Sequence, residues 1–321
     1  MSITITGGFT LAGGGWTVVP GPSGNKAIFG YGQSSVSIIS LTNLVSNTGV
    51  VATDTTGVGT AREALASAGY GTDKAIFGYG TPDGYASASI SNKVSNTGVV
   101  STDTAGVGTA RRYLAAAGYG TDKAIFGYGG TGAYPGVSTT NLVSNTGTVA
   151  SDTAGVGTDR QYLAAAGYGT DKAIFGYGST SDGGTYYSVT NLVSNTGVVA
   201  TDTAVVGTVR RYLAATGYGT DKAIFGYGTL SGNLANTYSL TNLVSNTGVV
   251  ATDTAGVGTA RRSLAAAVYG SDKAIFGYGT GPTDPYYYSL TNLVSNTGVV
   301  ASNTTGVGTA RYNLAAAAYG S

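Results

Sequence analysis

Short apolar runs alternate with glycine-rich polar stretches along almost the entire chain. The clearest run is the heptapeptide Lys-Ala-Ile-Phe-Gly-Tyr-Gly, whose six copies are 48, 49, 49, 50 and 51 residues apart. The copies begin at Lys26, Lys74, Lys123, Lys172, Lys222 and Lys273. Repetition at this period indicates one supersecondary unit copied in tandem, so the units can be compared position by position.

Each unit predicts four short β-strands. In one unit the apolar runs occupy 111–117, 123–128, 139–143 and 148–153, and Gly-rich turn signals bound them. The tetrapeptide Ser-Asn-Thr-Gly joins the last two runs, because Asn and Gly tolerate the positive φ of a tight turn. The first run contains Leu-Ala-Ala-Ala, and alanine also favours a single helical turn. We predict a strand there because glycines bracket the run and it is shorter than a typical helix.

Four-stranded units at a period near 50 residues predict an all-β fold, a six-bladed β-propeller with one antiparallel sheet per blade. A linear β-solenoid usually has much shorter repeats and is the weaker alternative. The order of arginine, small apolar strand, turn, apolar strand ending in glycines, third strand, Asn-Thr and fourth strand resembles the kelch repeat. Gly-Tyr-Gly replaces the usual kelch glycine pair, and the kelch tryptophan after Asn-Thr is absent. The resemblance implies a kelch-like propeller.

Two segments compete to complete the first blade. The C-terminal segment 311–319 is a first strand without a successor, and it would close the ring on the blade formed by 26–55. Closure would remove exposed sheet edges. The alternative is the segment from Trp16 to Val19, because Trp16 precedes Lys26 by the same number of residues as Tyr113 precedes Lys123. The closer sequence match favours the C-terminal segment, which divides the chain into an N-terminal arm, 1–24, and a propeller, 25–321.

All length differences between units fall in one segment, which follows the heptapeptide and contains 12, 13, 13, 14, 15 and 14 residues. Equivalent loops project from the same face of a propeller. That face therefore carries the variable segments 33–44, 81–93, 130–142, 179–192, 229–243 and 280–293. They are rich in tyrosine, which is typical of binding loops, although an unpacked loop also varies. The candidate binding face consists of Tyr85, Tyr134, Tyr186, Tyr187, Tyr238, Tyr286, Tyr287 and Tyr288.

Composition argues against catalysis. The chain has no His and no Cys, which removes the commonest general base and the thiol chemistry, so we expect no catalytic residue, metal or cofactor. Charged residues make up 10% of the chain and the net charge is +1, which predicts no nucleic-acid partner. No apolar stretch reaches about 18 residues, so we expect no membrane span. The N-terminus lacks a basic region, so we expect no secretory signal.

One arginine and one lysine recur in every unit, and we predict that they form structural ion pairs with aspartates of the Asp103 or Asp122 type. The lysines are those that open the heptapeptides. The arginines are Arg62, Arg111, Arg160, Arg210, Arg261 and Arg311. Asn25 and Asn303 replace an aspartate in two places.

The near-identical copies of Asp-Lys-Ala-Ile-Phe-Gly-Tyr-Gly and Asn-Leu-Val-Ser-Asn-Thr-Gly-Val-Val are similar to kelch-like propellers in structural proteins of tailed bacteriophages, particularly those of cyanobacteria. The N-terminal Ile-Thr-Ile-Thr-Gly-Gly-Phe-Thr-Leu resembles the short β arms that attach such proteins to neighbours. The resemblance implies a virion component of the tail, baseplate or capsid exterior, made in the host cytoplasm and present in multiple copies. Its partners would be other virion proteins. The arm's apolar candidates are Ile3, Ile5, Phe9, Leu11 and Trp16.

Two functions therefore remain open. The first is structural, with a propeller mounted on the particle through its arm, since a free strand can add to a partner's sheet. The second is a lectin-like or receptor-binding propeller, whose tyrosine-rich face binds a host glycan or protein. An intracellular kelch scaffold is a third, weaker alternative.

Overall fold

The computed structural model describes residues 9–12, 15–18, 25–132, 136–181, 183–204 and 207–320. In these residues the chain is all-β and has no α-helix, and one 3-10 turn covers Leu234–Asn236. Besides an N-terminal hairpin, the strands form six antiparallel sheets of three or four strands in repeating units. This arrangement is consistent with a propeller-like fold.

The hairpin consists of β1 (Phe9–Ala12) and β2 (Gly15–Val18), with Leu11 opposite Trp16. The first strands of the six sheets are β21 (Ala315–Tyr319), β5 (Ala66–Tyr70), β8 (Ala115–Tyr119), β11 (Ala164–Tyr168), β15 (Ala214–Tyr218) and β18 (Ala265–Tyr269). The middle strands are β3 (Lys26–Gly30), β6 (Lys74–Gly78), β9 (Lys123–Gly127), β12 (Lys172–Gly176), β16 (Lys222–Gly226) and β19 (Lys273–Gly277). The third strands are β4 (Thr42–Val45), β7 (Ser91–Val94), β10 (Thr140–Val143), β13 (Val189–Val193), β17 (Thr241–Val244) and β20 (Thr291–Val294).

The heptapeptide forms the middle strand, which is why it is apolar on both faces. Ala124, Ile125 and Phe126 are all fully buried, and the ring of Phe126 is tilted by 59° against that of Tyr79 of the preceding sheet, with centroids 5.1 Å apart. A Cβ at Gly78 would come within 2.7 Å of Phe126 Cζ. The glycine after each phenylalanine therefore makes room for the next sheet's aromatic ring.

The alanine-rich segment forms a strand, as predicted, but its bounds differ. It begins at Ala115 rather than at 111 and includes Gly118 and Tyr119, which the sequence assigned to the turn. Gly118 lies where first strands approach each other, since a Cβ there would be 3.4 Å from the Gly69 carbonyl oxygen. Close approach, rather than a turn, explains this glycine.

The predicted fourth strand is largely reduced to isolated bridges. Only the sheet of β11, β12 and β13 has a fourth strand in the described residues, β14 (Thr203–Ala204). In the unit before it, Val143 pairs with Val149 and Thr140 pairs with Thr153. Between these two bridges the outer segment therefore has one residue more than the third strand. Such an extra residue is a β-bulge, which interrupts the ladder.

The C-terminal strand completes the sheet that begins near the N-terminus. β21 pairs with β3, from Ala315 opposite Gly30 to Tyr319 opposite Lys26, whereas β2 pairs with β1. Each first strand also contacts the first strands of the two neighbouring sheets, and β21 contacts both β18 and β5.

A buried arginine in each unit fixes the connection between neighbouring sheets. Arg62 is fully buried over the ring of Tyr31, 4.9 Å from its centroid, and its Nη2 donates to Asn92 in the next sheet at 2.6 Å. The Asn92 amide donates to Asp103 at 2.8 Å, and the Thr60 hydroxyl donates to the same carboxylate at 2.6 Å. We call this set the arginine clamp. Its other arginines are Arg111, Arg160, Arg210, Arg261 and Arg311.

Candidate functional site

A ring of six residues surrounds the point where the first strands begin. Each lies two positions after a clamp arginine and has a left-handed backbone, with φ between 51° and 61°. The N–H of each donates to the carbonyl of its counterpart in the preceding unit, as from Tyr113 to Ala64 at 2.8 Å, and the series returns from Ala64 to Asn313 at 2.8 Å. We call these residues the collar. They are Ala64, Tyr113, Tyr162, Tyr212, Ser263 and Asn313.

The collar combines a fixed backbone with variable side chains. A non-glycine residue at positive φ is uncommon and strained, so the hydrogen bonds to both neighbours must hold it in place. The side chain takes no part in those bonds, and it differs between otherwise near-identical units. The residue before each collar residue differs as well: Glu63, Arg112, Gln161, Arg211, Arg262 and Tyr312. Comparison of segment lengths misses these positions, although the changing dipeptide after each clamp arginine marks them in the sequence.

Three tyrosines fill one side of the collar. The ring centroids of Tyr113 and Tyr162 are 4.4 Å apart, those of Tyr162 and Tyr212 are 4.3 Å apart, and Tyr113 meets Tyr212 edge-on at 5.9 Å. Arg112 lies over Tyr113 and Arg211 over Tyr212, at 5.8 and 5.0 Å. Burial raises the pKa of the Tyr113 hydroxyl, so it remains a neutral donor. Aromatic faces and guanidinium groups thus dominate this side.

A pocket of about 500 Å³ lies beside these tyrosines, and Tyr113, Tyr212 and Arg262 are among its lining residues. Asn313 donates its side-chain amide to the Glu63 carboxylate at 2.9 Å, and the Tyr312 hydroxyl donates to Gln33 Oε1 at 2.5 Å. Tyr287 stacks on Tyr312 with ring centroids 5.4 Å apart and an interplanar angle of 24°. We call this space the mouth pocket. Its volume is within the range of about 300–1,000 Å³ common for small-molecule sites.

Glu63 is the carboxylate of the mouth pocket, and its side of the pocket is poorly solvated. The residue is 5% exposed, and burial raises the pKa of its carboxyl group. The hydrogen bond from Asn313 and the charge of Arg112 oppose that rise. A carboxylate held in such surroundings gains more than a solvated one from a ligand that donates to it.

The six variable segments begin alongside the collar. The first residue of each forms a bridge with the residue that precedes a collar residue, as Thr81 does with Glu63, Thr280 with Arg262 and Gln33 with Tyr312. Differences in length and differences in side chain therefore meet at one end of the first strands.

The tyrosines of the candidate binding face differ in exposure. Tyr85 is 84% exposed and Tyr286 49%, whereas the hydroxyl of buried Tyr288 donates to the Thr283 carbonyl at 2.8 Å. Tyr134 lies outside the described residues. Half-buried positions are taken by Tyr186, Tyr187, Tyr238 and Tyr287. Tyr286 and Tyr287 line the mouth pocket, and the structure places Tyr186 against Arg211, 5.2 Å from its ring centroid.

The candidate residues of the arm are only partly described. Phe9 and Leu11 lie in β1 and Trp16 lies in β2, and their strands pair with each other. Ile3 and Ile5 lie outside the described residues.

The repeated lysines lie at the other end of the first strands. Five of them pair with the preceding aspartate at 2.6 to 3.1 Å: Lys74, Lys123, Lys172, Lys222 and Lys273. Lys26 follows Asn25 instead. Four of the paired lysines line a second pocket of about 340 Å³. Exposed pairs of this kind contribute little stability.

No protein-family model and no curated protein matches the chain. Within the residues that the structure describes, no His, Cys, Asp or Glu side chains form a group of three that could hold a metal ion. The described residues also contain no helix long and apolar enough to cross a membrane.

Proposed function

We propose that this chain is a six-bladed, kelch-like β-propeller whose ring is closed by its C-terminal strand. The pairing of β21 with β3 supports closure, as do the contacts of β21 with β18 and β5. The collar supports it as well, because its hydrogen bonds return to their starting residue. Closure also accounts for the absence of an unpaired first strand among the described sheets.

The propeller acts as a non-enzymatic recognition module, and its partner binds at the face of the collar and the variable segments. One observation carries this proposal: near-identical units differ in length and in side chain at the same place, around the mouth pocket. A purely structural disc would gain nothing from breaking its repeat there. The exposed tyrosines offer contact area at low entropic cost. This favours a lectin-like or receptor-binding role towards a host glycan or protein.

The module belongs to the virion of a tailed phage, where it contacts other virion proteins through its arm. The resemblance of its repeats supports this placement, and so does the hairpin. β1 and β2 pair with each other and with no other described strand, so both outer edges are open to a partner's sheet. Recognition and mounting then use different parts of one chain.

Removing two exposed tyrosines and one half-buried tyrosine from this face tests recognition. Particles carrying Tyr85→Ser, Tyr286→Ser and Tyr287→Ser together should adsorb to host cells about tenfold more slowly, because buried aromatic anchors dominate interface energy. Tyr288 is left intact because it is buried. The measurement is the adsorption rate constant of purified particles.

The control removes exposed apolar side chains at the other end of the sheets. Val50→Ser and Val99→Ser change residues that are 66% and 65% exposed in turns remote from the collar, and adsorption should stay unchanged. Normal adsorption of the triple tyrosine variant would refute recognition at this face.

A further inference from the structure

The mouth pocket contains three side chains whose hydrogen-bonding capacity is only partly used. Gln33 accepts a hydrogen bond from Tyr312, and within the described residues its amide N–H groups donate to no protein atom. Glu63 accepts one hydrogen bond, from the side-chain amide of Asn313. The second carboxylate oxygen of Glu63 and the side-chain carbonyl oxygen of Asn313 remain available as acceptors. The pocket therefore offers donors and acceptors together.

The bonds already made hold these groups in place. The Tyr312 hydroxyl fixes the Gln33 carbonyl, the Asn313 amide fixes the Glu63 carboxylate, and Tyr287 stacks on Tyr312. Backbone hydrogen bonds of the collar fix Asn313 in turn. A ligand that enters such a preorganised pocket loses little free energy to ordering of the protein.

The chemistry of the pocket excludes two ligand classes. A wholly apolar ligand would leave the Glu63 carboxylate, the Gln33 amide and the Asn313 carbonyl without partners, which is costly once they are desolvated. Charged ligands of either sign form the second class, because Glu63 and Arg262 line the pocket together and their opposite charges balance: an anion would face the poorly solvated Glu63 carboxylate, and a cation would face the Arg262 guanidinium. What remains is a neutral ligand with hydroxyl groups that both donate and accept.

The stacked pair of Tyr287 and Tyr312 restricts the class of ligand further. The stack of Tyr287 on Tyr312 presents a flat apolar surface beside the polar groups. A pyranose ring matches this pairing, because one face carries C–H groups that pack on an aromatic ring while its edge carries hydroxyls. Other flat, neutral ligands lack the ring of hydroxyls that would satisfy three separate polar groups.

We propose that the mouth pocket binds an uncharged sugar residue of a glycan, with Tyr287 as its stacking surface and Glu63, Gln33 and Asn313 as its hydrogen-bonding groups. This inference rests on the proposed recognition function. It places the specific contact at the collar rather than at the tips of the variable segments.

Saturation-transfer NMR on the full-length protein tests the inference. The probes are methyl glycosides of neutral hexoses, deoxyhexoses, pentoses and N-acetylhexosamines, together with hexuronic acids and short peptides as competing ligand classes. We expect at least one neutral glycoside to bind, with the strongest transfer to ring C–H protons. Tyr287→Ala should weaken that binding about tenfold, since an aromatic contact of this kind contributes roughly one such factor. Glu63→Gln should weaken it too, while Val249→Ala, a change to an exposed side chain remote from the collar, should not.

The outcomes separate the two proposals. Absence of binding by every glycoside, or binding that survives both Tyr287→Ala and Glu63→Gln, overturns the sugar site. Binding of acidic sugars or of peptides in place of neutral sugars also overturns it. If the sugar site falls but the triple tyrosine variant still adsorbs slowly, recognition at this face stands. If that variant adsorbs normally, the proposal of recognition at this face is refuted, whether or not any glycoside binds in the NMR experiment.

Discussion

At the scale of single residues, Asn303 marks the clamp that lacks a carboxylate. It occupies the position held elsewhere by Asp54, Asp103, Asp152, Asp202 and Asp253. Its amide donates to the Thr259 hydroxyl at 2.8 Å, whereas Asp103 accepts from the equivalent Thr60 hydroxyl. The fully buried Arg261 is therefore held by Asn292 and by the carbonyls of Tyr278 and Leu290. Its burial is offset by these hydrogen bonds and by the ring of Tyr227, whose centroid lies 5.0 Å from the guanidinium carbon, without a carboxylate at position 303.

Restoring the aspartate should stabilise the protein. Asn303→Asp gives Arg261 an ionic partner and the Thr259 hydroxyl a charged acceptor, which we expect to add about 0.5–1 kcal/mol to the free energy of unfolding. Urea denaturation at neutral pH measures the change. The converse substitution is Asp202→Asn, which removes the carboxylate 3.4 Å from Arg160 and should destabilise by a similar amount. A lower urea midpoint for Asn303→Asp would contradict this account of the clamp.

The residue scale also shows what sequence comparison detects. The invariant Arg62 type was expected to be structural because a lone charge in every unit needs a partner, and the structure buries it. The collar was missed, because its role depends on φ and on hydrogen bonds between units. The residue types of Ala64 and Ser263 indicate neither of them, because a positive φ is usually predicted from a glycine and these positions hold none.

At the scale of elements, the middle strands were the most predictable. Their burial on both faces makes them continuous apolar runs, so Lys123–Gly127 matched its predicted position closely. The first strands were less predictable, since Gly118 signals a turn in isolation and a close approach of strands in the assembled sheets. The prediction of a regular fourth strand was wrong for most units, because a bulge adds a residue without changing the pattern of apolar residues.

The hairpin of β1 and β2 carries an element-scale prediction. Deleting residues 1–24 should leave the sheets intact and prevent incorporation of the protein into particles, because the hairpin shares no described strand pairing with the rest. Immunoblots of purified particles measure incorporation. Circular dichroism and the thermal midpoint of the truncated protein verify that it is folded. A folded, truncated protein that is still found in particles would show that mounting uses another surface.

At the scale of the whole molecule, the clamps make stability depend on pH. Burial by itself would raise the pKa of the Asp54 carboxyl, but hydrogen bonds from Thr309 and Asn43 outweigh it, and the pKa lies below its usual value. The same balance lowers the pKa of the equivalent carboxyl groups, those of Asp103, Asp152, Asp202 and Asp253. Each therefore stabilises the fold when ionised.

Acid should consequently loosen all five clamps together. Their stabilisation is fully present above the unfolded pKa of about 3.8 and disappears as pH falls through the lower, folded pKa values. We expect the urea midpoint to drop steeply below about pH 4. In Asp202→Asn the drop should be shallower, since one titrating group is gone. A urea midpoint that does not fall in acid would contradict this role of the aspartates.

The collar has a consequence for how such a protein diversifies. Its backbone bonds are indifferent to the side chains they carry, since alanine, tyrosine, serine and asparagine all occupy the same φ. The residue that precedes each collar residue also varies between units: Glu63, Arg112, Gln161, Arg211, Arg262 and Tyr312. Substitutions at these two positions of each unit would change the chemistry around the pocket and leave the backbone of the collar as it is. Two positions in each of six units make twelve, and the proposed recognition function would take its specificity from these twelve side chains on one constant backbone.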